Sequence, residues 1–283
     1  MKIVIASGKG GTGKSTVVAN LAYSLAERQP VTVVDCDVEE PNLHLFFPGP
    51  SEDLPVTVRI PEIDIKRCNF CGACGDFCRY GALTIFKDRH LFLPELCHSC
   101  GGCQLVCPIG AIHEIDREIG VVQCRTPSPS LTLISGVLNE GEVQAPSVIK
   151  KAKSLAEGCP LILYDASPGI ACPVIETLEG ADFCILVTES TPFGLHDMEL
   201  AYRAAKELGI PAGVVINRSD GEDEAIQNFC AAHLIPVLMT IPFDRKIAAI
   251  QNAGGLITHE LPEWKQRFTE LFRKTVAHME VVT

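Results

Sequence analysis

Eight of the 14 cysteines in this 283-residue chain lie between Cys68 and Cys107, and that crowding constrains the fold more than any other feature. The segment CNFCGACGDFCRYGA from Cys68 returns at an offset of 29 as CHSCGGCQLVCPIGA from Cys97, matching at four cysteines, two glycines and an alanine. A stretch so rich in thiol and glycine has little aliphatic surface to bury, so the chemistry of the thiols must organise it. A disulfide framework is the first reading to test. The N-terminus MKIVIASGKGG breaks into glycines too soon to hold the apolar core of a secretory leader. No run approaches 18 apolar residues, so no membrane span is expected. A cytoplasmic location follows as the expectation, and in that reducing setting clustered thiols bind metal.

Around the cysteine segment the chain alternates short apolar runs with helical periodicity. Runs at Lys2 to Ala6, Val31 to Asp35, Leu161 to Asp165, Phe183 to Val187, Ala212 to Asn217 and Pro236 to Ile241 read as buried strands. Helical patterns fall at Ser15 to Glu27 and at roughly 147–157, 194–208, 222–233 and 245–253. The alternation predicts an α/β fold with a doubly wound, mostly parallel sheet, interrupted by a small α+β insertion. The expected organisation is 1–60 and 121–283 as one domain and 61–120 as the insertion, with Arg125 to Ser130 as the loop returning the chain. The repeat inside the insertion predicts two copies of one unit about a pseudo-twofold.

Gly8-Lys9-Gly10-Gly11-Thr12-Gly13-Lys14-Ser15-Thr16 fits G-x-x-x-x-G-K-[ST] between a strand and a helix. Backbone N–H groups freed by the glycines can curl around phosphate, Lys14 can reach the β/γ phosphates, and Ser15 can offer its hydroxyl to Mg²⁺. The extra lysine, Lys9, makes the segment resemble the deviant Walker A motif of the MinD/ParA/nitrogenase-iron-protein class of P-loop ATPases. Asp35-Cys36-Asp37 with Pro41-Asn42 resembles the switch I segment of that class, and LILYDASPG from Leu161 resembles its Walker B strand and switch II. Ile216-Asn217-Arg218 and Ile241-Pro242-Phe243-Asp244 are similar to its adenine-holding elements. The resemblance implies that Lys9 reaches the phosphates of a partner across a nucleotide-sandwich homodimer, Asp37 positions the attacking water, and Asp35 and Asp165 support Mg²⁺. Asn217, Arg218, Pro242 and Asp244 would contact the nucleotide. The plain alternative for the aspartates is turn formation after a strand.

Both cysteine quartets, Cys68-x2-Cys71-x2-Cys74-x3-Cys78 and Cys97-x2-Cys100-x2-Cys103-x3-Cys107-Pro108, resemble those of bacterial two-cluster ferredoxins. That resemblance implies one [4Fe–4S] cluster on Cys68, Cys71, Cys74 and Cys107, and a second on Cys78, Cys97, Cys100 and Cys103. Gly72, Gly75, Gly101 and Gly102 would let backbone N–H groups approach sulfur. Arg79 stands where the motif has proline. Zinc is the alternative metal, but Cys₄ zinc sites have no use for the x3 step. His98 reads as a solvated loop residue. Cys36, Cys159, Cys184 and Cys230 sit in or beside apolar runs and read as core thiols. Cys172 follows Asp165 by seven residues, the offset of the cluster-bridging cysteine in the nitrogenase iron protein, with Cys124 as a companion for an intersubunit thiol site. The plain expectation is that Cys172 packs beneath the switch.

Along its whole length the chain resembles MinD-superfamily P-loop ATPases carrying an inserted two-cluster ferredoxin domain, sequences that often bear labels such as cobyrinic acid a,c-diamide synthase. No segment remains for the glutaminase that an amidotransferase needs. The resemblance implies ATP, Mg²⁺ and two [4Fe–4S] clusters as cofactors, a homodimer, a redox partner protein, and the cytoplasm of an anaerobic or low-oxygen prokaryote. Its leading implication is an ATP-hydrolysing enzyme that couples dimer closure to electron transfer. A cluster carrier of Mrp type is a second reading, weakened because no C-x-x-C pair follows Cys124. A redox-sensing regulator like MinD or ParA is a third. With 35 acidic and 24 basic residues, a net charge of -11, nucleic acid is not an expected partner. Membrane contact is not expected either. The stretch Leu261 to Val276, with Trp264, Phe268, Leu271 and Phe272 on one face, balances Glu260, Glu263, Glu270 and Glu280 against Lys265, Arg267, Arg273 and Lys274. Such a helix closes the core of its own domain.

Overall fold

The computed structural model describes residues 1–282. The strands are β1 (Lys2–Ala6), β2 (Val31–Asp35), β3 (Glu52–Ile63), β4 (Leu83–Ile85), β5 (His90–Phe92), β6 (Ile112–Ser128), β7 (Leu131–Leu138), β8 (Ile162–Asp165), β9 (Phe183–Glu189), β10 (Ala212–Ser219) and β11 (Val237–Pro242). The helices are α1 (Lys14–Ala26), α2 (Ala73–Phe77), α3 (Gly102–Leu105), α4 (Ala145–Leu155), α5 (Cys172–Leu178), α6 (Pro192–Glu207), α7 (Glu224–Ala232), α8 (Arg245–Asn252), α9 (Ile257–Glu260) and α10 (Pro262–Val282). Nine strands form one sheet in the order β11-β10-β9-β1-β8-β2-β7-β6-β3. From β11 to β7 all neighbours are parallel, and only β6 runs antiparallel, to β7 on one side and β3 on the other. The expected mostly parallel α/β sheet is therefore the observed one.

Strands buried on both faces need no alternation, which is why β2 and β8 read as continuous apolar runs. One face of the sheet packs against α4 to α7 and includes Tyr164, Leu186, Met198 and Ile226. The other packs against α1 and α8 to α10 and includes Leu21, Phe183, Trp264, Phe268 and Leu271. α10 thus closes the core, with Phe272 partly buried against the same cluster. No helix among the described residues is long and apolar enough to cross a membrane.

Three strands of the nine-stranded sheet, β3, β6 and β7, went unread in the sequence, as did the β4–β5 hairpin. β3 alternates, with Val56, Val58 and Ile60 buried and Thr57 and Arg59 exposed. It pairs along β6 from Glu52↔Cys124 to Ile63↔Ile112, so the expected junctions at 60/61 and 120/121 fall inside continuous strands. The segment Arg125 to Ser130 is likewise no loop. β6 continues through Ser128, Pro127 falls at a register shift where a missing N–H does no harm, and β7 starts at Leu131. β6 pairs with β7 only from Gly120 onward, so Ile112 to Ile119 and their β3 partners form a two-stranded ribbon. At ~3.3 Å per residue it projects roughly 26 Å beyond the carboxyl edge of the parallel strands.

That ribbon carries the cysteine repeats, α2, α3 and the β4–β5 hairpin, which share a small core of Cys74, Leu83 and Ile112. The repeat is visible in the backbone. Positive φ recurs at offset 29 in Phe70 (56°) and Ser99 (52°), Gly72 (86°) and Gly101 (70°), and Gly81 (66°) and Gly110 (60°). Phe268 is fully buried under the sheet, so Phe268→Ala should cost about 3–5 kcal/mol in urea unfolding. Phe193→Ala, at a 78% exposed side chain, should stay within ~0.5 kcal/mol.

Candidate functional site

The loop between β1 and α1 is shaped by close approaches. A Cβ on Gly8 would lie 1.9 Å from the Asp197 carbonyl oxygen of α6, and one on Gly13 (φ 88°) would lie 2.2 Å from Asn217 Nδ2. By contrast Gly10 and Gly11 face open space, leaving their backbone accessible at the helix N-terminus. Lys14 begins α1 and Ser15 and Thr16 follow in its first turn. Thr12 Oγ1 is buried and unpartnered. Asn217, 3% exposed at the end of β10, donates from Nδ2 to the Thr12 carbonyl at 2.7 Å. Its Oδ1 accepts the Arg218 N–H at 2.9 Å, which holds Arg218 at φ 51°. The structure therefore uses Asn217 first as a strut beneath the glycine loop.

β2 and β8 are neighbours in register, so Asp35 and Asp165 occupy the same rung, both fully buried. Lys14 Nζ meets Asp165 Oδ1 at 3.0 Å, and Asp165 Oδ2 is left without a hydrogen-bond partner. Asp35 accepts N–H groups from Asp37 at 3.2 Å and from Asn42 and Leu43 at 3.1 Å. Burial and then the charge of Asp165 push the Asp35 carboxyl up to about 8, against the pull of those N–H groups. Asp37 is pushed up to about 6, chiefly by burial, with Lys14 opposing. Burial by itself would lower Lys14, but the charge and hydrogen bond of Asp165, then Asp37 and Asp35, leave it raised. Ser167, in the segment after β8, donates to the Cys36 carbonyl at 3.1 Å and ties the two aspartate-bearing segments together.

Lys9 is one-third exposed and pairs with Glu189 Oε2 at 3.3 Å, while Arg218 NH1 takes Glu189 Oε1 at 2.7 Å. Glu189 was not singled out in the sequence because it ends an otherwise apolar strand with no motif around it. Asp223 was missed because it is one of several acidic residues in the polar turn before α7. It accepts the hydroxyls of Ser219, at 2.7 Å, and Ser190, pinning the turns after β10 and β9 to each other. Asp244 caps α8 by accepting the Lys246 N–H at 2.7 Å, and Pro242 ends β11 just before it.

The eight clustered cysteines line two cavities. Cys68, Cys71, Cys74 and Cys107 line one, and Cys78, Cys97, Cys100 and Cys103 the other, so each takes its fourth thiol from the opposite repeat. Among the described residues no three His, Cys, Asp or Glu form a group that could hold a single metal ion. Backbone N–H groups of Phe70 and Ser99 donate to Cys68 and Cys97 Sγ at 3.4 Å, and that of Ala111 to Cys107 Sγ at 3.2 Å. Burial pushes the Cys103 thiol up to about 11, opposed by backbone N–H and reinforced by Cys97 and Cys100. His98 is not simply solvated: its ring stacks on Tyr80 at 3.6 Å. Cys36, Cys184 and Cys230 are buried as expected of core thiols, and Cys159 and Cys124 are half-buried. Cys172 departs from expectation. It starts α5 exposed and lines a cleft of about 840 Å³.

The profile of the family described as CobQ/CobB/MinD/ParA nucleotide binding domain matches residues 3–257. Uncharacterized protein MJ0579 of Methanocaldococcus jannaschii is 32% identical over 269 residues, 90% of either chain. The chlorophyllide reductase 35.5 kDa chain of Rhodobacter capsulatus is 27% identical, covering 95% of this chain and 71% of its own length. Among solved structures, the septum site-determining protein MinD of Pyrococcus horikoshii, complexed with Mg-ADP, aligns with a TM-score of 0.62 at 22% identity over 99% of this chain and 98% of its own.

The Asp35 carboxyl keeps its proton in the folded protein up to about pH 8, whereas the unfolded chain releases it near 3.8. Between those values the folded state binds more protons, so stability falls as pH rises, and Asp37 adds to the fall up to about 6. Urea midpoints of the nucleotide-free protein between about pH 5 and 8 should drop, and drop less in Asp35→Asn. An unchanged slope in that variant would place the effect elsewhere.

Proposed function

The chain belongs to the CobQ/CobB/MinD/ParA nucleotide binding domain family, and from that premise we propose that it hydrolyses ATP as a homodimer and couples the cycle to electron transfer through two [4Fe–4S] clusters. The observation that carries this reading is the position of the two four-cysteine cavities, held on a ribbon beyond the same strand ends that bear the glycine loop and the aspartates. The residues present suit both groups. For Mg-ATP they offer the open backbone of Gly10 and Gly11 and the unpartnered Thr12 Oγ1 and Asp165 Oδ2. For the clusters they offer four thiols per cavity and N–H donors aimed at three sulfurs. A bound cubane supplies a one-electron carrier.

In this reading Gly8 to Thr16 cradle the phosphates, with Lys14 drawn from Asp165 to the β/γ oxygens and Ser15, Asp35 and Asp165 around Mg²⁺. Asp37 orients the attacking water, and Asn217, Arg218, Pro242 and Asp244 frame the adenine. Lys9 exchanges its ion pair with Glu189 for a phosphate across the dimer. The reductase name of one relative agrees with redox use of the fold. The exposed thiol of Cys172 favours one other reading, delivery of a cluster to an acceptor.

The test is an anaerobic redox titration monitored by EPR, with and without ATP. Native protein should carry about eight irons and show potentials that change with ATP, and Lys14→Ala should keep the iron and lose the change. Lys9→Ala should still bind nucleotide but no longer dimerise with ATP in sedimentation. Iron-free native protein, or potentials indifferent to ATP, would sink the coupling. Transfer of labelled iron to an apo-acceptor, abolished in Cys172→Ser, would favour delivery instead.

A further inference from the structure

Gln144 sits just before α4, 8% exposed, and directs both amide hydrogens at the second cysteine repeat. Nε2 donates to the Cys97 carbonyl at 2.9 Å and to Ser99 Oγ at 2.8 Å. Its Oε1 accepts the Ser147 hydroxyl at 3.4 Å, so the buried amide is satisfied only while the two lobes keep their present relation. The turn it grips is the one whose Ser99 N–H donates to Cys97 Sγ. Hydrogen bonds to a ligating sulfur set the potential of an iron–sulfur centre, so moving this turn changes that potential.

The first repeat has no such connection. At offset 29 the counterpart of Ser99 is Phe70, which has the same left-handed backbone and the same N–H to Cys68 Sγ at 3.4 Å but no hydroxyl to hold. Among the described residues no side chain from the nucleotide-binding part of the chain is hydrogen-bonded to that turn. On its other side Gln144 lines the cleft of about 840 Å³ together with Asp37 and Glu40 from the segment after β2 and Ser167 and Ala171 from the segment after β8. Those two segments would respond to the γ-phosphate in the nucleotide cycle proposed above.

We propose that Gln144 is the positioning residue through which the nucleotide state reaches the cluster on Cys78, Cys97, Cys100 and Cys103, and that cluster alone. The inference rests on the ATP and cluster reading of the preceding section. Its test is the midpoint of each cluster, by EPR titration with and without ATP, in native protein, Gln144→Ala and Gln144→Glu, whose carboxylate cannot donate. Hydrogen exchange of the peptide around Ser99 is followed in the same samples. In native protein ATP should move one midpoint and change Ser99 exchange. Both Gln144 variants should lose that response, with the other midpoint unmoved. If Gln144→Ala loses iron, Ser99→Ala, which removes one of the two contacts, should show a smaller response. Two midpoints moving together, or variants that respond as native protein does, would overturn the proposal. Iron-loaded native protein with no response to ATP would remove the underlying coupling and this inference with it.

Discussion

Two carboxylates forced onto one buried rung set the terms for the site. Asp35 and Asp165 face each other because β2 and β8 are parallel neighbours in register, and a single lysine, Lys14, reaches Asp165 from the first turn of α1. One cation cannot balance two anions in a dry environment, so Asp35 answers by keeping its proton near neutral pH. That arrangement ties together the glycine loop, which delivers Lys14, and the segments after β2 and β8, which carry Asp37 and Ser167. Displacing any one of these elements alters the electrostatics felt by the others.

The cysteine repeats are joined to this centre by continuous backbone. β6 is shared: its second half belongs to the main sheet and its first half to the ribbon that carries the repeats. A strand that spans both lobes fixes their relative position far better than a flexible linker would. At the base of the ribbon Arg117 pairs with Glu142 at 2.6 Å and lies 3.8 Å from Glu95 of the cysteine lobe. The ribbon, this cluster and Gln144 are three separate attachments on one side of the lobe. The lobe is therefore an outgrowth of the sheet, not a bead inserted into a loop.

Much of this was legible in the residues themselves. The fully buried strands β1, β2, β8 and β9 announce themselves as apolar runs, and the glycine-lysine-serine spacing locates the loop. The thiol spacing separates the quartets. β3 escaped because its alternation is short and interrupted by Pro55 and Pro61, and β6 because charged residues from His113 to Glu118 hide the apolar positions between them. Glu189, Asp223 and Gln144 carried no signal at all, since a single polar residue acquires meaning only from a partner distant in sequence. Cys172 shows the reverse: its spacing was noticed, but its exposure was not.

By itself the sequence determined what is local: which runs are strands, where a helix must start with bare N–H groups, and which thiols lie close enough along the chain to share a turn. Those properties follow from side-chain period, glycine conformation and spacing, all of which act within a few residues. Only the tertiary structure decided that Asp35 shares a rung with Asp165, and that Gln144 holds the second repeat but not the first. Each of these depends on strand order and register, which bring together residues from 45 positions apart to well over a hundred, and no local pattern encodes that distance.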